Sequence, residues 1–207
     1  MFTTDKALTA TGIVILAAGS SSRLGKPKQL LTYQGKTLLE RVLDCAIQTP
    51  FRPIVVVLGA YAEEISALRL PEGISIVVND QWQHGMGTSI SVGLSAVLNQ
   101  QPDMAQVIFS VADQVFITAE VFMALFDRKQ QTGKNIIAST YAQAKGVPVL
   151  FDKKYFGELL LLAGEQGAKT VLKQHADDTD TILFESGHVD VDTEQDYLKL
   201  ISSGKSS

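Results

Sequence analysis

Residues Ile13 to Leu31 read Ile-Val-Ile-Leu-Ala-Ala-Gly-Ser-Ser-Ser-Arg-Leu-Gly-Lys-Pro-Lys-Gln-Leu-Leu, and few folds accommodate both halves of that run. The first half, Ile13 to Leu16, is short and wholly apolar, the pattern of a strand buried on both faces. Ala17, Ala18 and Gly19 follow, small enough for a second backbone or a flat ligand to come close. The second half is a turn with three serines, then Arg23, Gly25, Lys26 and Lys28. Successive backbone N–H groups in such a turn can cradle phosphate oxygens while the cations neutralise them.

Two familiar phosphate loops do not fit. A Walker loop has four residues before its Gly-Lys pair and then Ser or Thr; here five residues separate Gly19 from Gly25, and Pro27 follows Lys26. The dinucleotide fingerprint needs glycines at its first, third and sixth positions, and they are absent. A generic glycine-rich strand-to-helix turn is the plain alternative.

Beyond the turn the pattern predicts a helix over Lys36–Gln48, a strand over Ile54–Leu58, a short helix over Tyr61–Leu70 and a strand over Ile74–Val78. Val107–Val111 reads as a fourth strand, Ala119 to about Gln131 as a helix capped by Thr118, and Asn135–Thr140 as a fifth strand. Alternating strands and helices make an α/β fold, a mostly parallel sheet with helices on both faces. Ligands of such sheets gather at the carboxyl ends of the strands.

From about Tyr141 the regularity weakens. Gly146–Phe151 contains Pro148 and reads as an edge strand or short ribbon. A helix capped by Asp152 is expected to run to about Leu162, and the turn Gly164–Lys169 leads into another helix ending at His175. Two short strands are expected near Thr181–Glu185 and His188–Val191, then a helix capped by Thr193 with Asp196 three residues on. The division expected is one domain: residues 11–140 as a nucleotide-binding half, 141–201 as an acceptor-binding and closing segment, and 202–207 as a disordered tail.

Asp113 stands two residues past the fourth strand, where a carboxylate can reach a magnesium ion that also holds triphosphate oxygens; the plain alternative is a loop aspartate capping the next helix. Strand alternation would put Asp190 and Asp192 on one side, able to converge on one cation, or they serve only as acids before a helix. Asn79–Leu94 is too glycine-rich to begin as a helix, yet Ile90, Leu94, Val97 and Leu98 then mark one, so a loop feeds a helix N-terminus there. His84 has no second His or Cys at ligand spacing and reads as a polar loop residue.

At 207 residues, 45% hydrophobic and 19% charged, the chain can bury a sizeable core. A net charge of −4 without a basic cluster argues against nucleic acid as a partner. Cys45, the single cysteine, sits in a helical apolar pattern and reads as a packed thiol. Residues 1–10 lack the apolar core of a signal peptide, and no run approaches a membrane span. The expectation is a cytoplasmic protein with no membrane partner.

In sequence, Leu16, Ala17, Ala18, Gly19, Arg23, Leu24, Gly25 and Lys28 resemble the opening signature of Rossmann-like nucleotidyltransferases. Gly85-Met86-Gly87-Thr88-Ser89-Ile90 and Gly164–Lys169 resemble segments of the molybdenum cofactor cytidylyltransferases in particular. Ala112, Val115 and Glu194 depart from that family's Gly, Pro and Pro, and Glu165 and Lys169 from its Asp and Arg; Lys for Arg loses a bidentate donor. The resemblance, spanning Gly12 to about Leu200, implies a three-layer nucleotidyltransferase fold and transfer of CMP from CTP to the phosphate of molybdopterin or molybdenum cofactor, releasing pyrophosphate. It implies Mg2+ on Asp113 with Asp192 or Asp190, and triphosphate on Arg23 and Lys28. Leu16, Ala17, Ala18, Gly19, Gly87 and Ser89 would then hold the nucleotide. A molybdoenzyme or its chaperone would receive the product. Rival readings are transfer to another acceptor, such as a sugar or polyol phosphate, and a non-catalytic carrier of molybdenum cofactor.

Overall fold

A computed structural model describes residues 8 and 10–203, apart from 69, 143 and 166. The expectations for the first seven residues, for 204–207 and for Gln166 in its turn lie outside the described residues. The elements in chain order are β1 (Thr11–Ala17), β2 (Thr32–Tyr33), β3 (Lys36–Thr37), α1 (Leu38–Ile47), β4 (Ile54–Leu58), α2 (Ala62–Ser66) and β5 (Ile74–Val78). There follow α3 (Met86–Gln100), β6 (Gln106–Val111), α4 (Ala119–Thr132), β7 (Ile136–Tyr141) and β8 (Ala144–Asp152). The last are α5 (Phe156–Leu160), α6 (Lys169–Gln174), β9 (Thr179–Leu183) and α7 (Glu194–Ser203).

Seven strands form one sheet in the order β5-β4-β1-β6-β8-β7-β9. Every neighbouring pair is parallel except the two that β8 makes, with β6 and β7. Alternation along the strands sorts the core into two layers. Ile13, Ile15 and Ala17 of β1 pack with Ile54, Val56 and Leu58 of β4 under Leu39, Leu43, Phe122, Leu125 and Phe126 of α1 and α4. Val14, Leu16, Val55 and Val57 face the other way, under Ile90, Leu94, Val97, Leu159 and Leu172. This is a three-layer α/β architecture with β6 at the middle of the sheet and β1 beside it. No helix among the described residues is long and apolar enough to cross a membrane.

A third cluster holds the end of the chain. Val191 and Leu200 pack with Leu31, Tyr33, Leu38 and Val115, so α7 lies over the small β2–β3 hairpin beside the phosphate-loop sequence. The Tyr197 hydroxyl donates to the Thr32 carbonyl at 2.9 Å.

Several expectations need correction. Residues 144–152 are not an edge but an interior strand, antiparallel to both neighbours. Pro148 is tolerated because the β7 register jumps there, from Ala138↔Val149 to Ser139↔Gly146, and the β6 ladder ends at Val149; no bond is asked of its missing N–H. No second strand follows β9 among the described residues: Glu185–His188 is a 3-10 turn, so Asp190 and Asp192 owe their placement to a loop, not to alternation. Helix α3 begins at Met86, inside the segment expected to be loop. Lys36 and Thr37 form β3, and Thr37 with Glu40 makes a capping box that starts α1 two residues later than expected. Thr118 sits at the N-cap of α4 without a side-chain cap bond, whereas the Thr193–Asp196 box on α7 forms in both directions. Ser202, expected in the tail, lies in α7.

Candidate active site

Strand β1 ends at Ala17, and the chain turns over the carboxyl edge of the sheet through Gly19, Ser20 and Arg23 to Lys28. Strand β6, its parallel neighbour, ends at Val111, two residues before Asp113. The two carboxyl ends bring Lys28 and Asp113 together, 85 positions apart in sequence, as an ion pair. The Lys28 Nζ also reaches Asp192 Oδ1 at 3.1 Å. Arg23 meets the other oxygen of Asp192 at 2.5 Å, and Lys26 meets Glu194 at 3.0 Å. The cations of this turn are thus each met by carboxylates from the loop after β6 or from the segment that leads into and starts α7.

Burial pushes the Lys28 ammonium down, but the charges and hydrogen bonds of Asp113 and Asp192 outweigh it and hold it above its ordinary value. At neutral pH Lys28 is therefore held as the ammonium. Asp190 does not touch Lys28; burial, then the charges of Asp192 and Asp113, push its carboxyl above the ordinary range. A carboxylate so raised disfavours the fold once it ionises. The loss of stability sets in above the unfolded value, near pH ~3.9, and is complete above the raised folded value. Asp190→Asn is expected to raise the melting temperature at neutral pH, with the gain fading as the pH falls toward ~4. Equal melting temperatures for variant and wild type across that range would contradict the assignment.

Two cavities adjoin at this point. The smaller, about 340 Å³, is lined by Leu16, Ala17, Ala18, Gly19, Lys28, Ser89 and Asp113, with Gln29, Trp82 and Glu165. The larger, about 460 Å³, is walled by apolar Ile90, Phe109, Val149 and Leu172 and carries Tyr141, Lys145, Lys169, His188 and Asp190. Leu16, Met86, Val111, Asp113 and Glu165 border both. Of the residues expected at the nucleotide or its metal, Arg23 and Asp192 line neither cavity and join the site through their pairing with each other and, for Asp192, with Lys28, and Gly87 lies elsewhere. Its N–H donates to the Gly164 carbonyl at 2.9 Å, and a Cβ on it would meet Ala163 backbone at 2.9 Å. The neighbouring Gly85 has φ of 105°, and a side chain there would collide with the same turn. These two glycines therefore let 85–87 dock on residues 163–165.

Ser89 is buried, and its Oγ accepts from Asn79 Nδ2 at 2.9 Å. The serine O–H is left to donate elsewhere, which suits an acceptor atom on a base. The Ala18 methyl packs toward Gly59, where a Cβ would lie 2.8 Å from it. Asn79, Gln29 and Gln114 lie in stretches the sequence singles out but carry no role there, because no periodicity marks a buried amide; Tyr141 reads only as the point where the regular pattern weakens.

Asp113 and Asp192 share one ammonium, so a hard divalent cation could replace it against the same two oxygen-donor groups. Magnesium is commonly held by one or two carboxylates with substrate phosphates completing its shell, and the residues fit that need. Among the described residues no three His, Cys, Asp or Glu form a ready-made metal cage.

Known proteins share this fold. The solved homologue of Mycobacterium tuberculosis Rv0371c from Mycobacterium sp. strain JC1 is 31% identical, covers 95% of this chain and 97% of its own, and superposes with a TM-score of 0.82. Rv0371c from M. tuberculosis H37Rv, solved in complex with manganese, is 28% identical with a TM-score of 0.78, covering 94% and 98%. Nicotine blue oxidoreductase of Paenarthrobacter nicotinovorans is 29% identical over 197 residues, 91% of this chain and 95% of that protein. Residues 13–179 match the MobA-like NTP transferase domain, and the chain belongs to that nucleotidyltransferase family.

Proposed function

We propose that this chain transfers CMP from CTP to the phosphate of molybdopterin or its molybdenum-bearing form, with Mg2+, and releases pyrophosphate. One observation carries the reading: the two cavities border each other along Asp113, so a nucleotide in the smaller and a phosphorylated acceptor in the larger would meet beside the Lys28–Asp113 pair. An acceptor phosphate oxygen attacks the α-phosphorus, and the bond from that phosphorus to the bridging oxygen of the β-phosphate breaks. The electron pair leaves with pyrophosphate. No side-chain nucleophile is required, and the protein's contribution is positioning and charge. Arg23 and Lys28 neutralise the triphosphate oxygens, drawn to them from Asp192. A magnesium ion held by Asp113 and Asp192 would neutralise charge on the same phosphates.

The Ser89 hydroxyl, with Asn79 already donating to it, donates to an acceptor on the cytosine edge, and backbone groups at Ala17 and Ala18 complete the pocket. The apolar wall of the larger cavity receives a flat acceptor, and Lys145 and Lys169 its phosphate. A molybdoenzyme or its chaperone would take the product. On this reading wild-type protein prefers CTP over GTP by about tenfold or more in kcat/KM. Ala18→Gly removes the methyl packed toward Gly59 and narrows the gap by admitting the larger base. Equal use of both nucleotides by the wild type would refute the cytidylyl assignment and leave nucleotidyl transfer in place.

A second reading, an oxidoreductase, is favoured by the relative named for nicotine blue. Reduction of nicotine blue by an added two-electron donor, without pyrophosphate release, would select it. A screen of nucleotides and phosphorylated acceptors, scored by product mass, tests both acceptor and base.

A further inference from the structure

Each member of the Lys28–Asp113 pair is followed directly by a buried glutamine, Gln29 at 1% exposure and Gln114 at 4%. The two side chains make the same kind of fork. Gln29 Nε2 donates to the carbonyls of Ala17 at 2.8 Å and Gly19 at 3.2 Å. Gln114 Nε2 donates to those of Val147 at 2.8 Å and Gly187 at 3.2 Å. All four partners are carbonyl oxygens, so only the amide nitrogen can face them. Both Oε1 atoms are then left buried with no hydrogen-bond partner among the described residues.

A buried, unpartnered carbonyl is costly, and an apolar side chain of the same length would avoid it. What it could not do is donate twice. The carbonyls so held belong to the two cavity walls: Ala17 and Gly19 line the smaller, Val147 and Gly187 the larger. A peptide unit is planar, with its N–H opposed to its C=O. Tying the Gly19 carbonyl to Gln29 therefore turns the Ser20 N–H away from that side chain. Each fork also anchors the backbone next to one charged group, Gln29 beside Lys28 and Gln114 beside Asp113.

We propose that Gln29 and Gln114 are paired positioning residues, Gln29 fixing the nucleotide wall beside Lys28 through the Ala17 and Gly19 carbonyls and Gln114 fixing the acceptor wall through the Val147 and Gly187 carbonyls. The inference rests on the proposed division of the cavities between nucleotide and acceptor. It predicts a crossed kinetic pattern that loss of structure alone would not produce.

Gln29→Glu sets a carboxylate oxygen against two carbonyls in nearly the same shape. It should raise the KM for the nucleotide about tenfold or more and leave that for the acceptor within about twofold. Gln114→Glu should do the reverse. Gln29→Met and Gln114→Met, which keep length and lose the donors without adding charge, should show the same crossed pattern with smaller shifts. Calorimetric titration with CTP alone should show the weakening in both Gln29 variants and not in the Gln114 variants. Parallel rises in both KM values, unchanged kinetics, or failure of all four variants to fold would overturn the proposal. Failure of the wild type to bind any nucleoside triphosphate would instead sink the reading beneath it.

Discussion

Lys28→Ala should fold, melt at a lower temperature and lose at least ~100-fold in kcat/KM, the scale on which one contact to developing charge is worth. The stability loss follows from the pairing: the ammonium bridges Asp113 and Asp192, and its side chain is only 21% exposed. Without it Asp113 loses its ion-pair partner, and Asp192 keeps only Arg23. Stranding a fully buried charge costs ~3–5 kcal/mol; with Asp192 28% exposed, solvent screening brings the expectation to about 1–3 kcal/mol. A divalent cation should return part of it, because it supplies the missing positive charge to the same carboxylates. A melting temperature indifferent to magnesium in the variant would argue against a metal at this pair, whatever the activity shows.

Asp113→Asn has the complementary signature. The amide keeps the shape of a side chain that is 12% exposed, so folding should persist while magnesium-dependent turnover falls by ~100-fold or more. Binding of triphosphate without metal should hold or improve, because one negative charge has left the phosphate site and Lys28 is freed toward the ligand. Calorimetry with and without magnesium separates the two effects. A folded variant with near-normal activity would remove Asp113 from the chemistry.

The centre of the fold was legible because it is built from continuous apolar runs. Ile13–Leu16, Ile54–Leu58 and Val107–Val111 fall within β1, β4 and β6, three adjacent parallel strands whose carboxyl ends deliver Ala17, Gly59 and Asp113 to one edge. The second half was harder for a physical reason. The β8 run contains a proline and is interior only because β7 changes register opposite it, and no local signal announces a register shift. The glycines at 85 and 87 suggested a loop, yet they are there to let the start of α3 touch Gly164. Asp192 reaches Lys28 because Val191 and Leu200 anchor α7 on the hairpin. That is a tertiary fact; strand alternation, which had suggested a shared side for Asp190 and Asp192, plays no part in it. The side chains of Gln29 and Asn79 carry no periodicity, and only their buried hydrogen bonds expose them.

Pyrophosphate release is the most direct measurement of the account. Purified protein should release it from CTP with magnesium when a phosphorylated pterin acceptor is present, in step with a product heavier than the acceptor by one cytidylyl group. Release should be much slower from GTP and absent without the acceptor. No release from any nucleoside triphosphate, with any phosphorylated acceptor, would contradict the claim that Lys28 and Asp113 form a nucleotidyl transfer centre.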